Sequence, residues 1–366
     1  MKKFMLFIVV VLSLCMFQIR AFCAEQPVTY SVSLEQAKKM ALEHSPELEC
    51  WDVSRQNLQI QLNAARTTQN ENKNTPVYVS QNYEVIFVKQ GYYVESYISQ
   101  LKLSDFEKEK IVNTIEYDVT QKYYNAKNAS KMCEISRNSL KRAEETQNII
   151  QKQYELGMCT AHELKNAQIA VKQCRISLDK CINSLALAEE SLKITLGIDC
   201  ESKIDLIDEI AYTNFETNLD DDLVKCMGNR YDVQALIENE KMANIYFKIA
   251  SGLNQKSSTY FSAYTNHIKA EHNLESGRKN IALLIKSAYY SVIDSMNNTD
   301  IAIEQLEYAR ENYEINKIKN NLGLVTALAL STSTEELTMA ENAYENALLN
   351  QKLAVEKYYY EVASGL

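Results

Sequence analysis

Tyr154-Glu155-Leu156-Gly157-Met158-Cys159-Thr160-Ala161-His162-Glu163-Leu164 is answered 166 positions later by Asn320-Asn321-Leu322-Gly323-Leu324-Val325-Thr326-Ala327-Leu328-Ala329-Leu330. The same offset carries identities upstream without a gap: Tyr123/Tyr289, Tyr124/Tyr290, Ile135/Ile301, Leu140/Leu306, Ala143/Ala309, Glu145/Glu311 and Ile149/Ile315. Self-similarity over such a length means two copies of one supersecondary unit. A Gly that closes a helical pattern reads as a helix-terminating residue. Gly157 and Gly323 are therefore expected to turn two long antiparallel helical hairpins.

Downstream of the first turn the spacing is a heptad. Leu164, Val171, Leu178, Leu185 and Leu192 recur every seven residues, and Ala167, Cys174, Cys181, Ala188 and Thr195 follow three residues after each. Large side chains at one seam position and small ones at the other let helices approach closely. In the second copy the small series is Ser333, Ala340, Ala347 and Ala354. Its large partners are mixed: Leu330, Leu337, Tyr344, Gln351 and Tyr358.

The starts of the copies correspond at a different offset, 185. Leu34-Glu35-Gln36-Ala37, continuing to Ser45-Pro46-Glu47-Leu48, parallels Leu219-Asp220-Asp221-Asp222, continuing to Arg230-Tyr231-Asp232-Val233. Ser33 to Gln36 reads as a capping-box start with its acid one place early, and Pro46 fits the first turn of a second helix. The larger offset implies extra chain in the first copy, between about 50 and 122. Pro76 to Val88 is β-rich there, and Tyr92 to Leu101 after Gly91 is the expected hairpin partner. Gly252 to His272 offers only Thr259-Tyr260-Phe261 as a weak strand.

The expected fold is mainly α: two tandem repeats of long coiled-coil hairpins with a small β segment in the first. Repeat 1 spans 24–213 with its β insertion near 76–101, and repeat 2 spans 214–366. Composition agrees, since 8 Gly and 3 Pro in 366 residues are far below the roughly 12% average. A fold of many tight turns is excluded.

Residues 1–23 read as a signal peptide: Lys2-Lys3, then an apolar run from Phe4 to Phe17, then Ala21-Phe22-Cys23. Later segments lack the apolar length of a membrane-spanning helix, so the mature chain is expected to be exported. The net charge of −9 speaks against a nucleic-acid partner. Seven cysteines remain after residue 23, an odd number, and they read mostly as small packing residues. Cys174 and Cys181 lie about 10 Å apart along one helix and cannot bond to each other.

Chemistry is sparse. Without Gly-x-Gly there is no phosphate loop or dinucleotide fingerprint. His162-Glu163 begins like a zinc-protease motif, but Asn166 stands where the second His belongs. His267 and His272, five apart, fall on different helix faces and read as solvated rather than metal-binding. Asp220-Asp221-Asp222 reads as charge compensating a helix N-terminus. Neither catalytic residues, cofactor nor metal is expected, and the chain reads as a non-enzyme.

The plan resembles the TolC family of outer-membrane efflux and secretion channels. The carrying residues are Leu34-Glu35-Gln36-Ala37, Ser45-Pro46-Glu47-Leu48, Tyr154-Glu155-Leu156-Gly157, Ile194-Thr195-Leu196-Gly197, Asn229-Arg230-Tyr231-Asp232-Val233 and Asn321-Leu322-Gly323. Tyr97-Ile98-Ser99-Gln100-Leu101 resembles the family's return from barrel to helix. The resemblance implies a homotrimer enclosing a helical tunnel, a shared β-barrel in the outer membrane, and docking to a periplasmic adaptor and an inner-membrane pump. Membrane association would run through the β segment.

Two departures stand out. A membrane strand needs about 9–11 residues, and repeat 2 has no room for one. The family's acids six and nine residues after the second-repeat Gly are here Ala329 and Thr332, which leaves Glu163 of repeat 1 as the pore-lining candidate. Two functions stay open at this point: a passive efflux conduit, or a non-conducting exported coiled-coil scaffold or adaptor of the same descent.

Overall fold

The computed structural model describes residues 29–76, 83–253 and 255–363. The expected signal peptide and the early part of the expected β stretch lie outside the described residues. The first repeat comprises β1 (Thr29–Val32), α1 (Leu34–Glu43), α2 (Pro46–Glu71), α3 (Tyr83–Lys89), α4 (Tyr92–Glu155), α5 (Ala161–Leu196) and β2 (Lys203–Leu206). The second comprises α6 (Leu219–Asn229), α7 (Tyr231–Ser251), α8 (Ser258–Asn321) and α9 (Ala327–Ala363). The fold is mainly α, as the periodicity and composition imply.

Local chemistry sets the boundaries. Ser33 caps α1, and the residue that closes its capping box is Gln36, whose Oε1 accepts from the Ser33 backbone N–H at 3.0 Å. Ser45 caps α2 with Pro46 in its first turn. Gly157 and Gly323 adopt φ of 70° and 71°, the left-handed region that glycine enters without steric cost. In both turns the amide three residues past the helix returns to it: Met158 N–H to Gln153 O and Leu324 N–H to Lys319 O, each 2.8 Å. These bonds satisfy carbonyls that the helix end leaves open.

The helices α4 and α8 are each 64 residues long, about 96 Å at 1.5 Å per residue. They run the length of the molecule. Toward the hairpin turns the order side by side is α5, α4, α9, α8; toward the other end it is α2, α4, α7, α8. At Gly277 a Cβ would come against the terminal methyl of Leu236 of α7, so α7 and α8 lie close together there.

Two cores sit near mid-length and repeat each other. Val119, Ala126, Leu192 and Leu196 in the first correspond to Ile285, Val292, Tyr358 and Val362 in the second. Ala41 of α1 and Cys226 of α6 fill matching places at the 185 offset. The parallel pair β1 and β2, with Thr29 opposite Lys203, closes repeat 1 beside its core. There the Tyr123 hydroxyl donates to Val32 O at 3.0 Å and to Asp208 Oδ2 at 2.9 Å.

The expected β insertion near 76–101 is corrected in its described part. Tyr83–Lys89 is helix α3, and Tyr92 to Leu101 forms the opening turns of α4. Phe87 is buried and stacks on Tyr246 of α7, centroids 4.6 Å apart, with Tyr92 edge-on at 5.6 Å. That packing onto repeat 2 overrides the β preference of a β-branched, aromatic run. Thr259-Tyr260-Phe261 is likewise helical, at the start of α8 behind the cap Ser257. The sheet of repeat 1 lies instead at residues 29–32 and 203–206.

Candidate functional site

In the hairpin half, α5 and α8 are the outer members of a four-helix layer. Both expose an apolar stripe. On α5 it is Ile169, Ile176, Leu187 and Ile194; on α8 it is Leu283, Tyr290, Ile301, Tyr308 and Ile315. Steps of seven and eleven residues are close to whole turns, so each stripe keeps to one helix face. Leu187 is 68% exposed and Tyr308 71%. The inner helix α4 exposes no large apolar side chain between Tyr93 and Tyr154, and the inner helix α9 exposes Leu328, Met339 and Tyr359 at spacings that form no such stripe. Apolar exposure of this extent marks a surface that binds something.

The two hairpin turns lie at the same end. Ile150, Ala167 and Ala327 cluster beneath them, with Cys159 and Leu164 alongside. Beyond this small core project Leu156, Met158, Leu322 and Leu324, each at least 66% exposed. They are equivalent pairs from the two repeats.

Glu163 sits at this end and closes a capping box. Its carboxylate accepts from the Thr160 amide at 2.8 Å and the Thr160 hydroxyl at 2.9 Å. These bonds hold its carboxyl below the ordinary glutamate range. In the second turn Thr326 Oγ1 accepts from the Ala329 amide at 3.3 Å, and Ala329 has no acid to return. The TolC resemblance implies a pore-lining role for Glu163 alone; the local bonds display its part in the cap of α5.

Along the seam of α5, Val171 and Leu192 are buried while Leu164, Leu178 and Leu185 are half-buried. The small positions face α4: Ser136 Oγ lies 3.2 Å from Cys181 Sγ and Ser139 Oγ 3.6 Å from Cys174 Sγ. All seven described cysteines are free thiols. Burial pushes the Cys133 and Cys226 thiols up. A groove of about 310 Å³ between α4, α5 and α9 is lined by small residues, among them Ser139, Ala143, Thr146, Cys174 and Thr334.

Polar side chains join the repeats across the layer. Arg142 of α4 donates to Glu341 of α9 at 2.7 Å and to Thr338 at 3.0 Å. Glu238 of α7 is buried; it accepts from Lys102 at 2.6 Å and from the Ser99 hydroxyl, both on α4. Burial disfavours its charge, but the Lys102 ammonium and the Ser99 hydroxyl outweigh this and hold the carboxyl below its usual range. Arg230, 1% exposed, pairs with Asp232 at 2.7 Å and with Glu361 of α9. The sequence marked Arg230 and Asp232 as part of a motif but gave no sign of Glu361, which lies 131 residues away. Asp222 accepts from Thr217 at 2.6 Å and Tyr358 at 2.7 Å, so one of the three aspartates at the start of α6 also fastens the second core.

No family model matches the chain, and neither does any curated protein. Solved structures do. A membrane protein from Pseudomonas aeruginosa superposes with a TM-score of 0.75 at 13% identity, over 91% of this chain and 90% of that one. The outer membrane protein VceC of Vibrio cholerae gives 0.73 at 15% identity, over 91% and 97%. The CmeC outer membrane channel of Campylobacter jejuni gives 0.73 at 14%, over 90% and 85%. The chain has the TolC-like helical-tunnel fold of outer-membrane channels. At these identities the likeness is one of fold.

Proposed function

We propose that three copies of this chain close into a hollow helical cylinder that serves as a passive conduit in an efflux or type I secretion-like system. The observation that carries this is the pair of apolar stripes on the two outer helices. Unlike edges on one chain join head to tail, and such contacts form a ring when the rotation closes. The α5 stripe of one copy would meet the α8 stripe of the next. The structural neighbours described as outer membrane channels support a place in the cell envelope, and no covalent chemistry is required of any residue. The apolar hairpin tips would dock the periplasmic adaptor, and through it an inner-membrane pump, that the TolC resemblance implies.

A second reading rests on the opposite end. Residues 83–89, 92–101 and 258–272 are helical, and only residues 252–257 link α7 to α8. That link is shorter than the roughly 9–11 residues of a membrane strand. These observations favour an exported cylinder that serves as a scaffold without a membrane pore of its own. Native mass of the detergent-extracted chain, combined with conductance in planar bilayers, separates the two. A trimer that conducts supports the conduit, a trimer that does not supports the scaffold, and a monomer rejects both.

A further inference from the structure

His267, Glu271 and Glu240 converge where α7 lies against α8. His267 and Glu271 stand one turn apart on α8, with Nε2 3.5 Å from Glu271 Oε1. Glu240 reaches them from α7, and one ligand atom from each of the three lies within 4.8 Å of the others. Two carboxylates held this close repel each other. Among the described residues neither is paired with a Lys or Arg: Lys241 goes to Glu95 and Glu238, each at 3.5 Å, and Lys279 to Glu275 at 2.6 Å.

The imidazole is held in place. Its ring stacks on Phe247 of α7, centroids 5.2 Å apart and 9° from parallel, and its side chain is 15% exposed. Nδ1 is buried without a hydrogen-bond partner. With Nδ1 shut away, Nε2 is the nitrogen offered to the carboxylates. The groove beside them, lined by Glu240, Glu271, Leu274, Glu275, Arg278 and Lys279, opens to solvent.

We propose that Glu240, His267 and Glu271 bind a divalent transition-metal ion that ties α7 to α8. One imidazole nitrogen and two carboxylate oxygens suit zinc and similar borderline ions. Magnesium and calcium prefer oxygen alone, and copper(I) prefers sulfur. Bonds of about 2.0–2.2 Å require the three side chains to swing inward by roughly an ångström, within reach of their terminal torsions. Three protein ligands leave a coordination position for water or for an anionic ligand. The cation would also relieve the Glu240–Glu271 repulsion. The site lies within one chain, so it stands or falls independently of the cylinder.

The test is calorimetric titration of zinc into the full exported chain after removal of bound metal with a chelator. The expected result is one zinc per chain with a rise in melting temperature. Affinity should fall at least tenfold in Glu240→Gln. It should be lost in His267→Phe, which preserves the stack on Phe247 while removing both nitrogens. His272→Ala, five residues on, should bind as the wild type does. Cobalt(II) should give visible ligand-field bands that His267→Phe abolishes. Absence of stoichiometric zinc binding would overturn the proposal, as would binding that persists unchanged in Glu240→Gln and His267→Phe.

Discussion

Arg142 and Glu341, 199 residues apart in the chain, meet at 2.7 Å between the central helices α4 and α9. Their side chains are 15% and 19% exposed, and the same guanidinium donates to Thr338. The pair fixes one repeat against the other at the inner seam of the four-helix layer. Arg142→Ala should destabilise the chain by about 1.5–3 kcal/mol, as expected for a partly buried hydrogen bond to a charged group. Denaturant unfolding of the wild type and variant measures this; a change below 0.5 kcal/mol, roughly the level of an ordinary surface substitution, would contradict it.

The two hairpin glycines provide a cleaner backbone test. Nothing lies within 4 Å of a Cβ built on Gly157 or Gly323, so substitution there meets only the torsional penalty. Gly157→Ala should cost about 1–2 kcal/mol, and Gly157→Asn less, because Asn tolerates the left-handed region. Gly277→Ala acts in a different way, since its Cβ would press on a terminal methyl of Leu236 that must turn aside. A double substitution with Leu236→Ala should recover part of the loss at Gly277 and none at Gly157.

Acid should weaken the contact between α4 and α7. Glu238 has a folded-state pKa below its unfolded value of about 4.3. Its contribution is therefore fully present above about pH 4.3 and is lost as the pH falls through the folded value. The pH dependence of unfolding should be flatter in Glu238→Gln than in the wild type over this acidic window. Identical profiles would remove Glu238 from the account.

Thiol labelling should follow burial. Cys50 and Cys200 are exposed, whereas Cys133 and Cys226 are buried with raised pKa values. An alkylating reagent applied to the native chain should modify Cys50 and Cys200 first, and reach Cys133 and Cys226 only on unfolding. Cys174→Ala and Cys181→Ala replace half-buried thiols by the residue their heptad neighbours already use, and should each cost about 1 kcal/mol. Rapid native labelling of Cys133, read by peptide mass spectrometry, would contradict the packing described.

How much of this was legible in the sequence follows from the range of each signal. The hairpins and their turns at Gly157 and Gly323 were readable because a heptad and a gapless duplication are local and periodic. The conformation of Tyr83–Lys89 was not. Its run of β-branched and aromatic residues favours a strand, and the burial of Phe87 against Tyr246, far along the chain, goes with a helix instead. The first capping box is hard to read in sequence because Gln36, an amide, serves where an acid is the usual partner. His267 was read against His272 on its own helix, but its neighbours are Phe247 and Glu240 on α7. The partner of Arg230, Glu361, is equally remote in sequence. The exposed stripes of α5 and α8 keep to one helix face in steps of seven and eleven, yet the sequence cannot tell a stripe that meets a neighbouring helix from one left open at an edge.

The central claim is that these open edges join copies of the chain into a ring. Ile176 on α5 and Tyr308 on α8 are 55% and 71% exposed. Replacing either by a charge should change the stability of one chain by no more than about 0.5 kcal/mol. The decisive measurement is the native mass of the wild type, Ile176→Lys, Tyr308→Glu and the double variant under matched detergent conditions. The account predicts a trimeric wild type and monomeric single variants of unchanged helicity. If the ring sets Ile176 of one copy against Tyr308 of the next, the double variant pairs a lysine with a glutamate there, and the trimer should partly return. A wild type that stays monomeric, or single variants that remain trimeric, would contradict it.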